Sequence, residues 1–252
     1  MTRLVLGTRG SDLARAQTAL VEKALRAQHP SLEIAVEIIR TSGDERAGRS
    51  PEIIDRHAGR KGMFTAEIER VLLDGGIDVA VHSAKDLPSD STDTLCVCAA
   101  LPRAAIEDVL ITKAAVSLEE LPPGATIGTG SVRRQHQLRW CRPDLQVVDV
   151  RGNVPTRIRK LRENPWDGII LARAGLDRLC CDLAELQKSV LATDKFLPAG
   201  GQGIVALQVR SHDATARALV TAAGEAQAMQ CLRAEREFLR LLQGDCGTPV
   251  GV

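Results

Sequence analysis

The sequence predicts an α/β protein of two lobes, and three observations predict it. Short aliphatic and β-branched runs alternate with amphipathic helical stretches. A turn of small residues hands each run to its helix, and basic residues collect at those turns. Repeated β-α units of this kind argue for a parallel sheet with helices packed on its faces. Two such lobes joined by chain crossings form a cleft by construction.

Residues 4–7 read as a strand and 12–28 as an amphipathic helix, with Leu13, Ala16, Leu20 and Leu25 near helical period and Ser11 or Asp12 as its N-cap. Residues 32–39 follow as a strand. Residues 45–61 carry Arg46, Arg49, Arg56, Arg60 and Lys61 with little periodicity, which suits a mobile loop or lid and equally a solvated surface loop. Residues 62–73 form a second helix with Phe64, Ile68 and Leu72 inward, and 96–100 and 109–112 are further strands. After the turn at Pro122-Pro123-Gly124, strands at 126–128, 147–150 and 168–172 each lead into a helix. Residues 196–203 read as a flexible joint, 204–209 as a strand able to return to the first sheet, and 213–223 and 226–242 as helices.

Bulk composition removes several functions. With 252 residues, 44% of them apolar, two domains or one large one have material for a core. A net charge of +1 gives no global field for nucleic acid or an anionic membrane, and the lack of Tyr argues against base stacking. The seven cysteines include no C-x-x-C pair, and no histidine stands at zinc spacing, so no metal is expected. Their odd number and the adjacent Cys180-Cys181 suit a reducing compartment, and no apolar run reaches membrane length, so a cytoplasmic protein is expected.

The chemistry concentrates in the stretch from Ile77 to Pro88. A β-branched run there breaks into His82, Ser83, Lys85 and Asp86, residues that a strand would present at the carboxyl edge of a sheet, where open α/β folds bind ligands. A polar turn with Lys85 and Asp86 solvated fits the same letters. Of the 33 basic residues 26 are Arg, and Arg9, Arg133, Arg134, Arg151, Arg157, Arg173 and Arg178 lie at strand-to-helix turns. Helix N-termini and guanidinium forks together favour a ligand with several carboxylates or phosphates. Neither a P-loop nor a dinucleotide fingerprint occurs. Cys246, between Asp245 and Gly247 in a loop after a helix, fits either a structural thiol or an attacking thiolate.

These residues together resemble the porphobilinogen deaminase family. The matching segments are Thr8-Arg9-x-Ser11-x-Leu13-Ala14-x-x-Gln17, Thr41-x-Gly43-Asp44, Lys61-Gly62-Met63-Phe64, and Asp78-Val79-Ala80-Val81-His82-Ser83-x-Lys85-Asp86-Leu87-Pro88. They continue with Gly128-Thr129-x-Ser131-Val132-Arg133-Arg134-Gln135, Arg151-Gly152-Asn153-Val154-x-Thr156-Arg157, Ala174-Gly175-Leu176-x-Arg178-Leu179, Leu197-Pro198-Ala199-x-Gly201-Gln202-Gly203 and Gly244-x-Cys246-x-x-Pro249-Val250-Gly251. They run in the family's order along the whole chain.

The resemblance implies two periplasmic-binding-protein-like lobes with a central cleft, plus a truncated third domain. Domain 1 would comprise 1–101 and 199–222, domain 2 would be 102–198, and 223–252 would be the remnant of domain 3 carrying the cofactor cysteine. It implies a transferase of tetrapyrrole (haem and chlorophyll) biosynthesis that condenses four porphobilinogen molecules into hydroxymethylbilane with release of ammonia. A dipyrromethane cofactor would be held covalently through Cys246. By the family's pattern Asp86 is catalytic. Lys85, Ser131, Arg133, Arg134, Asp44 and Ser83 would bind cofactor, and Arg9, Ser11, Arg151, Arg157, Arg178, Gln202, Phe64 and Lys61 would bind substrate and growing chain. The molecule is expected to act as a monomer, with no nucleic-acid or membrane partner. Pro155 departs from the pattern by interrupting the Asn153-Val154-x-Thr156 turn. A non-catalytic two-lobed binding protein for a polycarboxylate ligand shares the architecture and the arginines; Asp86 together with Cys246 argues against it. A Schiff-base enzyme acting through Lys85 is a further alternative.

Overall fold

The computed structural model describes residues 3–40, 65–89, 92–244 and 248–252. The first sheet takes β1 (Arg3–Arg9), β2 (Glu33–Ile39), β3 (Val79–Ser83), β4 (Leu95–Ala100) and β10 (Val205–Arg210), in the order β2-β1-β3-β10-β4. The second takes β5 (Asp108–Thr112), β6 (Thr126–Gly128), β7 (Gln146–Val148), β8 (Gly168–Ala172) and β9 (Gln187–Leu191), in the order β7-β6-β8-β5-β9. Helices α1 (Asp12–Gln28) and α2 (Ala66–Leu73) belong with the first sheet; α3 (Val132–Cys141), α4 (Val154–Glu163) and α5 (Arg173–Leu179) belong with the second. The chain ends in α6 (Ala214–Ala223) and α7 (Ala226–Leu241).

The pattern of apolar residues explains the layering. In β1, Leu4 and Leu6 meet Val21 and Leu25 of α1 on one face of the sheet, with Val79, Val81, Val205 and Leu207 completing that core. The other face is covered by Ile68 and Leu72 of α2, against Ile39, Ile77 and Ala80. In the second lobe, Leu110, Ile127, Leu138 and Ile170 fill one side of the sheet, and Val109, Ile111, Ile158, Leu161 and Ile169 fill the other. Both faces of each sheet are therefore buried, as strands made of continuous apolar runs require.

Helix starts follow their caps. The Ser11 hydroxyl accepts from the Ala14 N–H at 3.3 Å, Ser131 from Arg134 at 3.5 Å, and Asn153 from Thr156 at 2.9 Å. Pro155 does not break its turn. It lies in the first turn of α4, where a backbone N–H has no intrahelical acceptor and the fixed φ suits the helix.

Three expectations are corrected. The sheets are mixed, since β10 runs antiparallel to β3 and β4, and β5 antiparallel to β8 and β9. Strand β9 goes unread in the sequence because an edge strand needs little burial, and its Gln187, Lys188 and Ser189 look like a loop. The supposed flexible joint is a buried, hydrogen-bonded turn: Phe196, Gln202 and Ile204 are inside, and the Gln202 and Ile204 N–H groups donate to Ala199 and Gly201 carbonyls at 2.9 and 3.1 Å. Gly203 has φ 86°, and a Cβ there would run into the Ala104 carbonyl oxygen, so the two crossings between the sheets touch at this point.

Those crossings, at 101–107 and 192–204, are tied by one carboxylate. Asp108 opens β5 with no solvent exposure. Its Oδ2 accepts from the Arg133 guanidinium at 2.8 Å, and its Oδ1 from Arg134 at 2.7 Å and from the Gln202 amide at 2.9 Å. The Arg103 Nε–H then donates to the Gln202 carbonyl at 3.0 Å, and the same guanidinium pairs with Glu235 of α7 at 3.0 Å. Glu235 also accepts the Gly201 N–H at 2.6 Å. Burial alone would raise the Asp108 pKa, but Arg134 and Arg133 outweigh it and hold the carboxyl well below its ordinary value of 3.8. The stability this provides is therefore complete above that value and is lost as pH falls below it. Replacing Asp108 by Asn leaves two buried guanidiniums without a counter-charge and should cost about 3–5 kcal/mol near neutral pH. Urea unfolding of the two proteins from pH 7 down to pH 3 should show the difference narrowing with acidification; a constant difference would count against the ion pair as its source.

Candidate active site

The site forms where β1 and β3 end side by side. Leu6 and Gly7 of β1 pair in parallel with Val79 and Ala80 of β3, so both strands deliver their carboxyl ends to one edge. From β1 come Arg9 and Ser11. From β3 come His82 and Ser83, and the 3-10 turn Ala84–Asp86 adds Lys85 and Asp86. Arg9, Ser11, Gln17, His82, Ser83 and Asp86 line a pocket of about 70 Å³. Asp86 is exposed at its rim, whereas His82 is buried. The turn is fixed from beneath by the Ala84 N–H donating to the Ile204 carbonyl at 3.0 Å.

The second lobe approaches from the other side. Lys85 is half-buried; burial pushes its pKa down to about 8, Asp86 and Asp108 pull it up, and Arg134 and Arg133 push it down further. Burial likewise lowers Arg157, with Arg134 adding to the effect and Asp149 and Asp86 opposing it. Lys85 and Asp86 of the first lobe are thus within electrostatic reach of Arg133, Arg134 and Arg157 of the second. Arg157 is held by its Nε–H donating to the Gly152 carbonyl at 2.7 Å. Contact between the lobes includes Leu13 of α1 against Gly175 of α5.

Not every arginine faces the cleft as the sequence suggests. Arg133 and Arg134 are each only 5% exposed, and both are committed to Asp108; Arg134 also donates to the Ile170 carbonyl at 3.0 Å. The sequence shows their charge but not the partner 25 and 26 positions away. Gln202 is turned to Asp108 and to the Ile106 carbonyl rather than to open space. Arg178 donates to the Gly203 carbonyl of the crossing at 2.7 Å, and Arg151 pairs with Asp149 at 2.8 Å on the exposed side. Arg173 pairs with Glu107 and Asp177, both at 3.4 Å. Asp44, Lys61, Phe64 and Cys246 lie outside the described residues.

The structure adds contacts for Gln17 and His82, which the sequence reading names without a role, and brings in Gln208, which it passes over. Gln17 is buried on α1, and its carboxamide sits 2.9 and 3.0 Å from the Ser83 hydroxyl, fixing that side chain in the pocket wall. A polar residue on the buried face of an otherwise amphipathic helix is the signal that marks it. His82 bonds Gln208 at 3.0 Å, and Gln208 donates to Glu69 at 2.9 Å.

Comparison with known proteins supplies the rest. The family model described as "Porphobilinogen deaminase, dipyromethane cofactor binding domain" matches residues 4–218. The porphobilinogen deaminase of Syntrophomonas wolfei is 45% identical over 250 residues, covering 99% of this chain and 80% of that protein. That of Nitrobacter winogradskyi is 47% identical over 248 residues, covering 98% of this chain and 77% of that protein. Among solved structures, the methionine binding protein MetQ aligns with a TM-score of 0.54 at 12% identity, covering 93% of this chain and 95% of that one. The probable amino-acid-binding protein YtmK of Bacillus subtilis aligns at 0.51 and 9% identity, covering 98% of this chain and all of that one. At such identities these two show a shared two-lobed fold and nothing of ligand. The family model and the relatives together establish that this chain belongs to the porphobilinogen deaminase family.

Proposed function

We propose that this chain carries out its family's reaction, condensing four porphobilinogen molecules into hydroxymethylbilane with release of ammonia, at the pocket where Asp86 stands. The observation that carries the reading is the position of Asp86: the exposed acid of a pocket otherwise bordered by arginine, serine and an uncharged imidazole. Losing ammonia from the substrate's aminomethyl group leaves a cationic pyrrole. A carboxylate fixed beside that charge lowers the barrier by electrostatic stabilisation, and it can accept a pyrrole proton. Arg9 and Ser11 hold the acetate and propionate groups of the incoming pyrrole, and Arg157 serves the growing chain across the cleft. Arg151, Arg178, Lys61 and Phe64 complete that binding set by the family's pattern, with Gln202 acting through the crossing it braces.

The residues present fit a dipyrromethane. Arg134 has a buried Nε with no hydrogen-bond partner among the described residues, so an acidic group entering beside α3 would satisfy it. Ser131 stands at the N-cap of α3, and Lys85 faces the same region from the opposite lobe. With Ser83, Arg133 and Arg134, and with Asp44 and the Cys246 thioether from outside the described residues, these would hold the cofactor. When bound, it supplies the free pyrrole position on which the product is built. The Arg133–Arg134–Asp108 cluster has an excess of one positive charge, and Lys85 adds a second when protonated.

The two sheets support a division between 1–101 with 199–222 and 102–198; the assignment of 223–252 to a third domain rests on the family's pattern, since Ala228 and Leu232 pack against the first lobe. No helix among the described residues is long and apolar enough to cross a membrane. The near-neutral charge fits a small-molecule enzyme without a nucleic-acid or membrane partner, and the unpaired cysteines among the described residues fit the cytoplasm; the monomeric state is proposed from the family's pattern.

Intact-mass measurement of the purified protein should show the added mass of a dipyrromethane, and stepwise monopyrrole additions after brief incubation with porphobilinogen. A bare mass that stays unchanged with substrate would defeat the reading. Asp86→Asn should keep the fold and lose roughly 10²–10³-fold in turnover, the usual scale for removing one preorganised electrostatic group. Near-normal turnover would refute its role. Because Lys85 has its pKa lowered to about 8, its ammonium is present below that pH and is lost above it. Assembly of the dipyrromethane on cofactor-free protein, read by intact mass, should weaken between pH 7 and pH 9, and Lys85→Gln should flatten that part of the profile.

A further inference from the structure

Behind the Asp86 pocket a chain of three side chains crosses the first sheet. Glu69 on α2 accepts from the Gln208 Nε2–H at 2.9 Å, and the Gln208 Oε1 faces the His82 Nε2 at 3.0 Å. The orientation of the amide follows from its ends. A carboxylate only accepts, so the amide nitrogen must face Glu69 and the amide oxygen must face the ring. His82 therefore carries its proton on Nε2. His82 is 5% exposed and forms part of the wall that Arg9, Ser11 and Asp86 share.

The charged groups around the ring come from four elements. Arg9 at the end of β1 and Arg236 on α7 both disfavour a second ring proton. Asp86 shares the pocket wall from the turn that follows β3. Glu69 reaches the ring only through the carboxamide of Gln208, a full side chain away. Burial is the largest influence, and it brings the ring down to about 4, against the opposing effect of the Gln208 hydrogen bond. A neutral carboxamide accepts from the ring nitrogen without supplying the negative charge that would stabilise an imidazolium. A carboxylate at the same place would supply that charge.

We propose that Gln208 is a positioning residue: standing between the His82 ring and the Glu69 carboxylate, it withholds from the buried ring the counter-charge that would stabilise an imidazolium in the wall of the Asp86 pocket. This rests on Asp86 being the group that steadies a cationic pyrrole. An imidazolium in the same wall would spend part of that carboxylate's field and repel the cation. The unprotonated ring leaves the field to the substrate.

The test exchanges the two groups in the full chain carrying its cofactor. Glu69→Gln combined with Gln208→Glu retains a donor and an acceptor at each contact and moves only the charge. The C2–H resonance of His82, assigned by its loss in His82→Gln, is followed by NMR against pH. In the native protein the ring should stay neutral to near pH 5. In the exchanged protein its proton affinity should rise at least a hundredfold, with half-protonation above pH 6. Turnover at pH 5 should then fall about tenfold with KM changed less than twofold, and the acidic limb of the kcat profile should move up by the same interval as the ring. Gln208→Glu alone should shift the ring in the same direction and serves if the exchanged protein does not fold. A ring that stays neutral at pH 6 in both variants would overturn the proposal. So would a ring that becomes charged while the kcat profile stays in place. Failure of the native protein to turn over porphobilinogen would instead overturn the catalytic role of Asp86, and the titration would still decide what sets the charge of His82.

Discussion

A carboxylate shut away from water needs cations beside it, and Asp108 obtains two from adjacent positions of one helix. That arrangement makes Arg133 and Arg134 tolerable as buried neighbours, since two desolvated guanidiniums without a counter-ion would repel each other at close range. It also fixes where the chain passes between lobes. Gln202 belongs to the returning crossing and shares the same carboxylate oxygen as Arg134, and through Arg103 and Glu235 the cluster extends to α7.

The cluster also sets the electrostatic terms on which an acidic ligand enters. A row of bare guanidiniums would be costly to bury before any ligand arrived. Asp108 relieves part of that cost in advance, while Lys85, Arg157 and the unsatisfied Arg134 Nε keep the region receptive to anions. Asp86 stays outside this cluster, at the exposed end of a strand-to-turn junction. Asp86 is thus separate from the buried Asp108 cluster, while Arg9 and Ser11 share its pocket and Lys85 stands beside it.

Much of this was legible in the sequence where the signal is local. The run from Ile77 breaking into His82, Ser83, Lys85 and Asp86 marks a buried strand reaching a sheet edge, and the structure has that geometry. Ser11, Ser131 and Asn153 cap helices because their side chains act on backbone three positions away. What stayed hidden depends on partners distant in sequence. Nothing near Arg133 reveals Asp108, nothing near His82 reveals Gln208 at 126 positions, and nothing in Gln187 or Lys188 announces an edge strand. The joint at 196–203 misled because its glycines and its one proline describe backbone shape, not packing. Resemblance to a family supplied the roles of Cys246 and Asp86, which geometry alone leaves unassigned.

The placement of β10 has a consequence for how the molecule comes into being. It lies between β3 and β4, and β4 meets the rest of its sheet only through it. Residues 95–100 therefore leave the ribosome with no neighbouring strand and wait more than a hundred positions for one, while β5 to β9 form an unbroken stretch able to pair among themselves. The lobe whose sequence begins second is positioned to mature first, and the sheet edge that bears the aspartate is among the last parts of the nascent chain to become rigid.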